Sequence, residues 1–426
     1  MEKVIRELLE FIKKSPSCFH VIENIRTRLL EAGFCELKEK ESWKLRAGKD
    51  YFVTRNESSM IAFRIPESNF QGFHITASHS DSPTFRVKES PELYVEGQYA
   101  KLNVEKYGGM IMDTWFGRPL SVAGRIIIEE TGKIKEQRVH IDRDLFVIPN
   151  LAIHMTRGQK KEYNPQKDLL PLMGCTDEKH AFLKLIAQEA GVSWQDILSY
   201  DLFLYNRMEG TVLGMNEELI GAPKLDDLEC VFASLEAFLQ AKSKDYVTMC
   251  SVFDNEEVGS GTKQGAGSTF GADVLKRIVY GMGKTLEDYY RMIADSFLMS
   301  ADNAHGVHPN DTEKTDPSNR PYLNKGVVLK YNAAQKYTTD ARSAALVKYL
   351  CKKENIPYQV FFNRSDMPGG STLGNIFMGQ VSMQAADIGL PQLAMHSAYE
   401  TAGAKDLEGM IRLLRTFYSI GREVEI

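Results

Sequence analysis

The chain has 426 residues, with 52 Lys or Arg against 57 Asp or Glu, and its formal net charge is therefore −5. Apolar residues make up 43% and charged residues 26%, which excludes a collagen-like or low-complexity protein. Because the chain is mildly acidic and no apolar run reaches ~18 residues, we expect a soluble protein of about two to three domains, with neither nucleic acid nor a membrane as partner.

The N-terminal part alternates helix and strand patterns. Apolar stripes at helical spacing predict helices over residues 2–14 and 20–32, the second ending near Gly33. Short apolar runs predict three strands, over residues 52–54, 60–65 and 73–77. The third strand runs directly into His79 and Asp81.

From about residue 86 to residue 222 the pattern becomes β-rich. Strand-like runs cover residues 93–95, 122–128 and 145–148, and the Glu-Thr-Gly-Lys stretch at 130–133 predicts a hairpin turn. One helix is predicted around residues 178–190. We interpret this segment as a separate β-rich unit.

Helices and strands alternate again from residue 223. The predicted helices are 226–241, 285–299, 339–353 and 400–418. The predicted strands are 246–253, 358–362 and 391–395. Such alternation is typical of an α/β domain, and the simplest organisation is one discontinuous domain, 1–85 and 223–426, with residues 86–222 inserted.

Charges through the first 14 residues interrupt any apolar core that a secretion signal would need. The six cysteines are scattered and form no C-x-x-C pair, which argues against a thiolate zinc cluster and against a disulfide framework. We therefore expect a cytoplasmic protein.

Polar residues follow several of the strand-like runs or open a helix. They are His79, Asp81, Asp226, Glu256, Glu257, Asp302 and His396. Strand ends can meet at one edge of a parallel sheet, and imidazole and carboxylate together suit zinc, cobalt or manganese. Each residue also has an ordinary explanation, such as a hydrogen-bonded histidine, a solvated acidic pair or a helix N-cap at Asp226.

Seven segments, in order along nearly the whole chain, resemble the aspartyl aminopeptidase family, cytosolic members of a clan of two-metal aminopeptidases. They are ASHSDSP (77–83), IPNLAIH (148–154), KLDDL (224–228), FDNEEVGS (253–260), SADNAHGVHPN (300–310), GGSTLG (369–374) and AMHS (394–397). The resemblance implies an α/β fold, with a mixed-sheet zinc-peptidase catalytic domain and an inserted β-rich dimerisation domain.

The resemblance also implies a role for each residue of the polar set. His79, Asp226 and Asp302 would hold one divalent metal ion, and Asp226, Glu257 and His396 a second, with Asp226 bridging the two. Glu256 would be the general base, and Asp81 would orient His79. The expected cofactor is two Zn²⁺ ions, with Co²⁺ or Mn²⁺ as alternatives.

Three further residues are implied on the substrate side. His154 would reach into a neighbouring subunit's active site, the alternative being ordinary packing at a strand end. Lys330 would face an acidic substrate side chain or the active-site acids, the alternative being an exposed edge position. Gly370 lies in a glycine-rich loop that would bring backbone N–H groups close to the substrate.

The implied activity is hydrolysis of the N-terminal residue of short peptides with a free N-terminus, with a preference for acidic residues as a further expectation. The implied assembly is a homo-oligomer in which dimers build a dodecamer. Two rivals stay open at this point: a deacylase or carboxypeptidase on the same scaffold, and a non-catalytic assembly protein.

Overall fold

A computed structural model describes residues 2–155, 162–242 and 244–424. Its first elements are α1 (Glu2–Lys13), α2 (Cys18–Glu31), β1 (Cys35–Leu37), β2 (Asp50–Arg55), β3 (Ser59–Arg64) and β4 (Phe73–His79). Both predicted helices are confirmed. Gly33 follows α2 with φ of 86°, a left-handed conformation that glycine adopts at no steric cost, and this ends the helix where expected.

The next elements are β5 (Thr84–Val95), β6 (Tyr99–Tyr107), β7 (Leu120–Glu130), β8 (Lys133–His140), α3 (Pro165–Asp168), β9 (Leu172–Gly174), α4 (Ala181–Ala190) and β10 (Ile197–Asn206). The six strands form one sheet in the order β8-β7-β10-β5-β6-β9, and every neighbouring pair is antiparallel. Thr131 and Gly132, both at positive φ, make the predicted hairpin turn. Residues 145–148 form only isolated bridges and no strand, because Phe146, Val147 and Ile148 each pair with a different partner.

The remaining elements are β11 (Thr211–Leu213), β12 (Leu219–Ala222), α5 (Leu225–Gln240), β13 (Val247–Phe253), α6 (Phe270–Gly281), α7 (Leu286–Ala294), β14 (Phe297–Ala301), β15 (Ala304–His305), β16 (Val327–Tyr331), α8 (Ala341–Lys353), β17 (Tyr358–Phe362), α9 (Leu373–Met378), β18 (Gln384–Gly389), β19 (Pro391–Leu393), β20 (Glu400–Gly403) and α10 (Asp406–Ser419).

A nine-stranded sheet dominates the molecule, in the order β1-β2-β3-β13-β4-β14-β18-β16-β17. Its central strands β13, β4, β14 and β18 are parallel, whereas β3 and β16 run against their central neighbours. One face packs against α1, α2, α5, α8 and α10, and the other against α6, α7 and α9. The predicted mixed α/β class is confirmed.

A smaller five-stranded sheet, in the order β11-β12-β20-β19-β15, joins distant parts of the chain. The strands of the six-stranded sheet lie between residues 84 and 206, whereas both other sheets draw on residues after 210. The domain boundaries at 85/86 and 222/223 stay a prediction.

Two predicted helices are wrong at one end. The helix predicted over 285–299 ends at Ala294, and Phe297–Ala301 is strand β14. All five residues of β14 are buried, and a fully buried strand has the continuous apolar pattern that a buried helix also shows. The helix predicted over 400–418 begins only at Asp406, because Glu400–Gly403 pairs with β12 and β19 as β20.

Candidate metal centre

Three parallel neighbours of the large sheet bring polar residues to one edge. His79 is the last residue of β4, and Asp302 directly follows β14. Glu256 and Glu257 lie in the short 3-10 turn Glu256–Val258, which follows β13. Because these strands run in the same direction, their carboxyl ends meet, and that edge is where α/β sheets build their sites.

Asp226 and His396 reach the same edge from other elements. Asp226 lies at the start of α5, and one carboxylate oxygen, Oδ1, lies 3.4 Å from Nε2 of His79. The other oxygen, Oδ2, lies 3.5 Å from Nε2 of His396. The same His396 nitrogen is 3.4 Å from Oε2 of Glu257. Asp226 therefore stands between two imidazoles and offers one oxygen to each.

The ligand-type atoms form three overlapping groups in which all atoms lie within 4.8 Å of one another. The groups are His79 with Asp226, Asp227 and Asp302; His79 with Glu256 and Glu257; and Asp226 with Glu257 and His396. Five carboxyl groups thus face two imidazoles in a largely buried space. Uncompensated buried carboxylates repel one another, and a bound cation is the usual compensation.

Unpartnered atoms test whether this set fits metal. Oδ1 of Asp226 and Oε1 of Glu257 are buried and have no hydrogen-bond partner among the residues that the structure describes. Imidazole nitrogen and carboxylate oxygen are common zinc donors, and cysteine is absent from all three groups. The predicted ligands His79, Asp226, Glu257, Asp302 and His396 therefore lie together and fit a divalent cation.

Asp81 holds the parts of this cluster in place. Its Oδ1 accepts a hydrogen bond from the backbone N–H of Glu256, and its Oδ2 accepts one from the backbone N–H of Glu257, both at 3.1 Å. Nδ1 of His79 lies 3.4 Å from Oδ1 and 3.0 Å from the backbone oxygen of Asp81. The predicted partner of His79 thus also supports the turn that carries both glutamates.

The electrostatics of the cluster follow from burial and crowding of like charge. Burial, together with the nearby Asp302 and Asp81, raises the pKa of Glu256 to about 8. Burial also acts to raise the pKa of Asp226, but the neighbouring imidazoles of His396 and His79 outweigh it, and the pKa lies below its ordinary value. The two carboxyl groups therefore differ strongly in proton affinity within one site.

Two acidic residues without a predicted role also belong to this neighbourhood. Asp227 accepts the backbone N–H of His79 at 3.1 Å through Oδ2. Glu400 accepts the backbone N–H groups of Asp226 at 3.0 Å and of His396 at 2.7 Å. Asp227 could have been suspected from its place beside Asp226. Glu400 could not, because the pattern predicted a helix there.

The three predicted substrate-side residues lie in different surroundings. Lys330 is buried, and its Nζ donates to the backbone oxygens of Asp302 at 2.7 Å and Asn303 at 3.1 Å. The same Nζ lies 3.8 Å from Oδ2 of Asp302, so it faces this acid rather than water. Gly370 lies in the loop before α9, where an added Cβ would meet open space. His154 lies on an exposed 3-10 turn, outside the three metal-type groups.

The fold and the cluster together indicate a metal-dependent enzyme. Comparison with known proteins identifies its family. The family model described as aminopeptidase I zinc metalloprotease (M18) matches residues 11–418, and the chain therefore belongs to the M18 family. A Clostridium acetobutylicum protein described as a probable M18 family aminopeptidase 2 is 45% identical over 97% of this chain and 98% of its own length.

Solved structures agree with this family. The cryo-EM structure of the Ape4 and Nbr1 complex contains a chain that is 36% identical, with a TM-score of 0.94 over 98% of this chain and 85% of that one. The S. cerevisiae mApe1 dodecamer is 26% identical, with a TM-score of 0.86 and 98% of both chains covered. The chain is accordingly a zinc metalloaminopeptidase, a hydrolase. Across the described ranges, each helix is too short or too polar to cross a membrane.

Proposed function

We propose that this aminopeptidase uses two zinc ions, one held by His79, Asp226 and Asp302 and the other by Asp226, Glu257 and His396. The observation that carries the proposal is the position of Asp226, whose two oxygens lie 3.4 and 3.5 Å from Nε2 of His79 and of His396. A carboxylate that serves two ligand sets at once is the arrangement that a two-metal peptidase needs.

When bound, zinc ions would polarise the scissile carbonyl and acidify the attacking water. Glu256 would accept the proton of that water and deliver it to the leaving amine, as a general base and then a general acid. Asp81 would keep His79 oriented and hold the Glu256–Glu257 turn through its two backbone hydrogen bonds. Asp227 and Glu400 would hold the main chain at the two histidines.

The proposed substrates are short peptides with a free N-terminus and a preference for an acidic first residue. The crowded carboxylates favour a cationic α-amino group, which explains why an exopeptidase would require a free amine. Lys330 supports the acidic preference, because its buried ammonium group beside Asp302 adds positive charge to this side of the site. Gly370, which has open space where a Cβ would lie, would bring backbone N–H groups close to the substrate.

We further propose that residues 86–222 form a dimerisation domain, and that dimers build a dodecamer like that of mApe1. The exposed apolar residues Leu151, Ile153 and Met155 flank His154 and suit a surface that a second subunit covers. His154 would then serve the partner's site. All six cysteines lie within the described residues and are unpaired, which supports a reducing, cytoplasmic location.

The decisive experiment is hydrolysis of a panel of aminoacyl p-nitroanilides by the metal-free chain and after addition of zinc, cobalt or manganese. We expect chelation to abolish hydrolysis, about two equivalents of metal per chain to restore it, and aspartyl or glutamyl substrates to react fastest. Activity in a sample that elemental analysis shows to be metal-free would overturn the two-metal proposal.

N-acetylated peptides with a free C-terminal carboxylate serve as the control for the rival deacylase or carboxypeptidase, and release of acetate or of the C-terminal residue is the readout. An aminopeptidase should leave them intact, because the acetyl group removes the charged amine. Rapid hydrolysis of acetylated substrates would instead identify the rival activity on the same scaffold.

A further inference from the structure

Residues 107–111, where the chain leaves strand β6 of the six-stranded sheet, run directly over the candidate metal centre. This segment begins at Tyr107, the last residue of β6. A Cβ added to Gly108 would lie only 3.0 Å from Cβ of Glu257, and the N–H of Ile111 donates to the backbone oxygen of His396 at 3.0 Å. The segment therefore contacts two predicted metal ligands although it comes from a different sheet.

Tyr107 makes the most specific of these contacts. Its hydroxyl donates to Oδ2 of Asp81 at 2.7 Å and accepts from Nδ2 of Asn255 at 2.9 Å. Its ring packs edge-on against Phe203, with centroids 5.6 Å apart. The hydroxyl thus joins Asp81 to the residue directly before the Glu256–Glu257 turn.

The orientation of the Asp81 carboxylate depends on this hydrogen bond. Oδ1 faces both the Glu256 N–H and the His79 ring, whereas Oδ2 has the Glu257 N–H and the Tyr107 hydroxyl. Without the hydroxyl, Oδ2 would keep a single neutral N–H donor. The carboxylate would then rotate more freely, and the Glu256–Glu257 turn that it holds would be less precisely positioned.

We propose that Tyr107 is a positioning residue for the hydrolytic reaction, which acts through Asp81 and Asn255 to fix the turn carrying Glu256. The inference rests on the proposed function of Glu256. It places one determinant of the reaction rate in the six-stranded sheet, outside the elements that supply the metal ligands. Tyr107 acts through Asp81 rather than on the substrate.

Tyr107→Phe removes the hydroxyl and keeps the ring against Phe203. We expect kcat to fall about tenfold, the effect of one lost hydrogen bond to a charged group, while KM and zinc content change less than about twofold. Tyr200→Phe is the matched control, because within the described ranges its hydroxyl bonds only the backbone oxygens of Lys88 and Glu89, and it should keep the wild-type rate. An unchanged kcat in Tyr107→Phe, or a loss of zinc in step with kcat, would overturn the positioning role.

A double-mutant cycle with Glu256→Gln separates this proposal from the proposed base. If Tyr107 acts by placing Glu256, its loss should cost almost nothing further in the Glu256→Gln background. A further tenfold loss of kcat in the Glu256→Gln background would contradict the positioning role of Tyr107 and would leave the role of Glu256 as the base intact. Full activity of the single variant Glu256→Gln would instead overturn the base, and with it any role of Tyr107 in placing that base.

Discussion

Asp226 directs its two oxygens at different imidazoles. The residues around it are of two kinds: predicted metal ligands, and residues that hold those ligands in place through hydrogen bonds. His79, Glu257 and His396 could be found from their positions after predicted strands, combined with the family resemblance, whereas Asp302 could be found from the resemblance. Glu400 could not be found in the same way, because it accepts backbone N–H groups that only the folded chain brings to it. Residues that bind a metal ion are therefore easier to predict from the sequence than residues that hold those metal ligands in place.

At the residue scale, we expect Glu256→Gln to retain zinc and to lose about 10²–10⁴-fold in kcat, because an amide cannot take a proton from water. Steady-state kinetics and elemental analysis of the same sample measure both quantities. Glu189→Gln, at an exposed position on α4, is the control and should leave both unchanged. Wild-type turnover by Glu256→Gln would show that another group is the base.

Glu400→Gln should weaken zinc binding by about 10–100-fold, because one amide oxygen replaces the two carboxylate oxygens that accept the N–H groups of Asp226 and His396. Competition with a chromophoric chelator measures the affinity. The loss should be larger for the zinc equivalent that includes His396, because Glu400 holds both His396 and Asp226 at that site and only the shared Asp226 at the other. Equal affinity for both equivalents in the variant and wild type would contradict this support role.

At the element scale, the central strands were predicted unevenly. β4 and β13 have clear apolar runs, and both were expected at nearly their observed bounds. The sequence predicts the end of a helix at β14, because a buried apolar run does not by itself distinguish a strand from a helix. It predicts nothing at β18, where Gln384 and Asp387 interrupt the apolar run. The long-range pairing of β12 with β20 has no local signal at all.

Burial of β4 also creates a pH dependence. His74 is enclosed in the strand with its ring stacked on Tyr246 at 4.0 Å, and burial lowers its pKa to about 3 from an ordinary value of 6.5. The unfolded chain therefore binds a proton that the folded chain does not. The stability that the neutral ring contributes is complete above pH 6.5 and is lost as the pH falls from there toward 3, by up to about 1.4 kcal/mol per pH unit.

We accordingly expect the thermal midpoint of wild type to fall further between pH 7 and pH 5 than that of His74→Phe, which keeps an aromatic ring in the stack. Scanning calorimetry at both pH values, at one protein and zinc concentration, measures the difference. Parallel decreases in the two proteins would show that His74 does not contribute to acid lability.

At the scale of the whole molecule, the β-rich character of residues 86–222 could be predicted from turn residues and strand-like runs. The five-stranded sheet could not, because its strands come from residues 211–222, 304–305 and 391–403 and pair only in the folded chain. Assembly has no signal in the periodicity of the sequence. The prediction of an oligomer depends on the family resemblance, and the exposure of apolar residues around His154 in the folded chain supports it.

If the chain forms a dodecamer, light scattering should give about 580 kDa, twelve times the 48.1 kDa of one chain. Mixing His154→Ala with Glu256→Gln under conditions of subunit exchange should then restore up to about a quarter of the sites, since a mixed dimer contains one intact combination. A monomer that is fully active at every concentration would contradict the assembly, and failure of mixing to restore activity would contradict the role of His154.

The place of β4 in the large sheet has a consequence for how the protein is made. Its two neighbours, β13 and β14, begin at residues 247 and 297, after all strands of the six-stranded sheet. The antiparallel hairpins of that sheet can therefore form on the ribosome before β4 is paired. Strand β4 stays unpaired until partners more than 160 residues further along the chain have been synthesised. His396 joins still later, so the emerging chain carries no complete peptidase site beside other unfinished polypeptides.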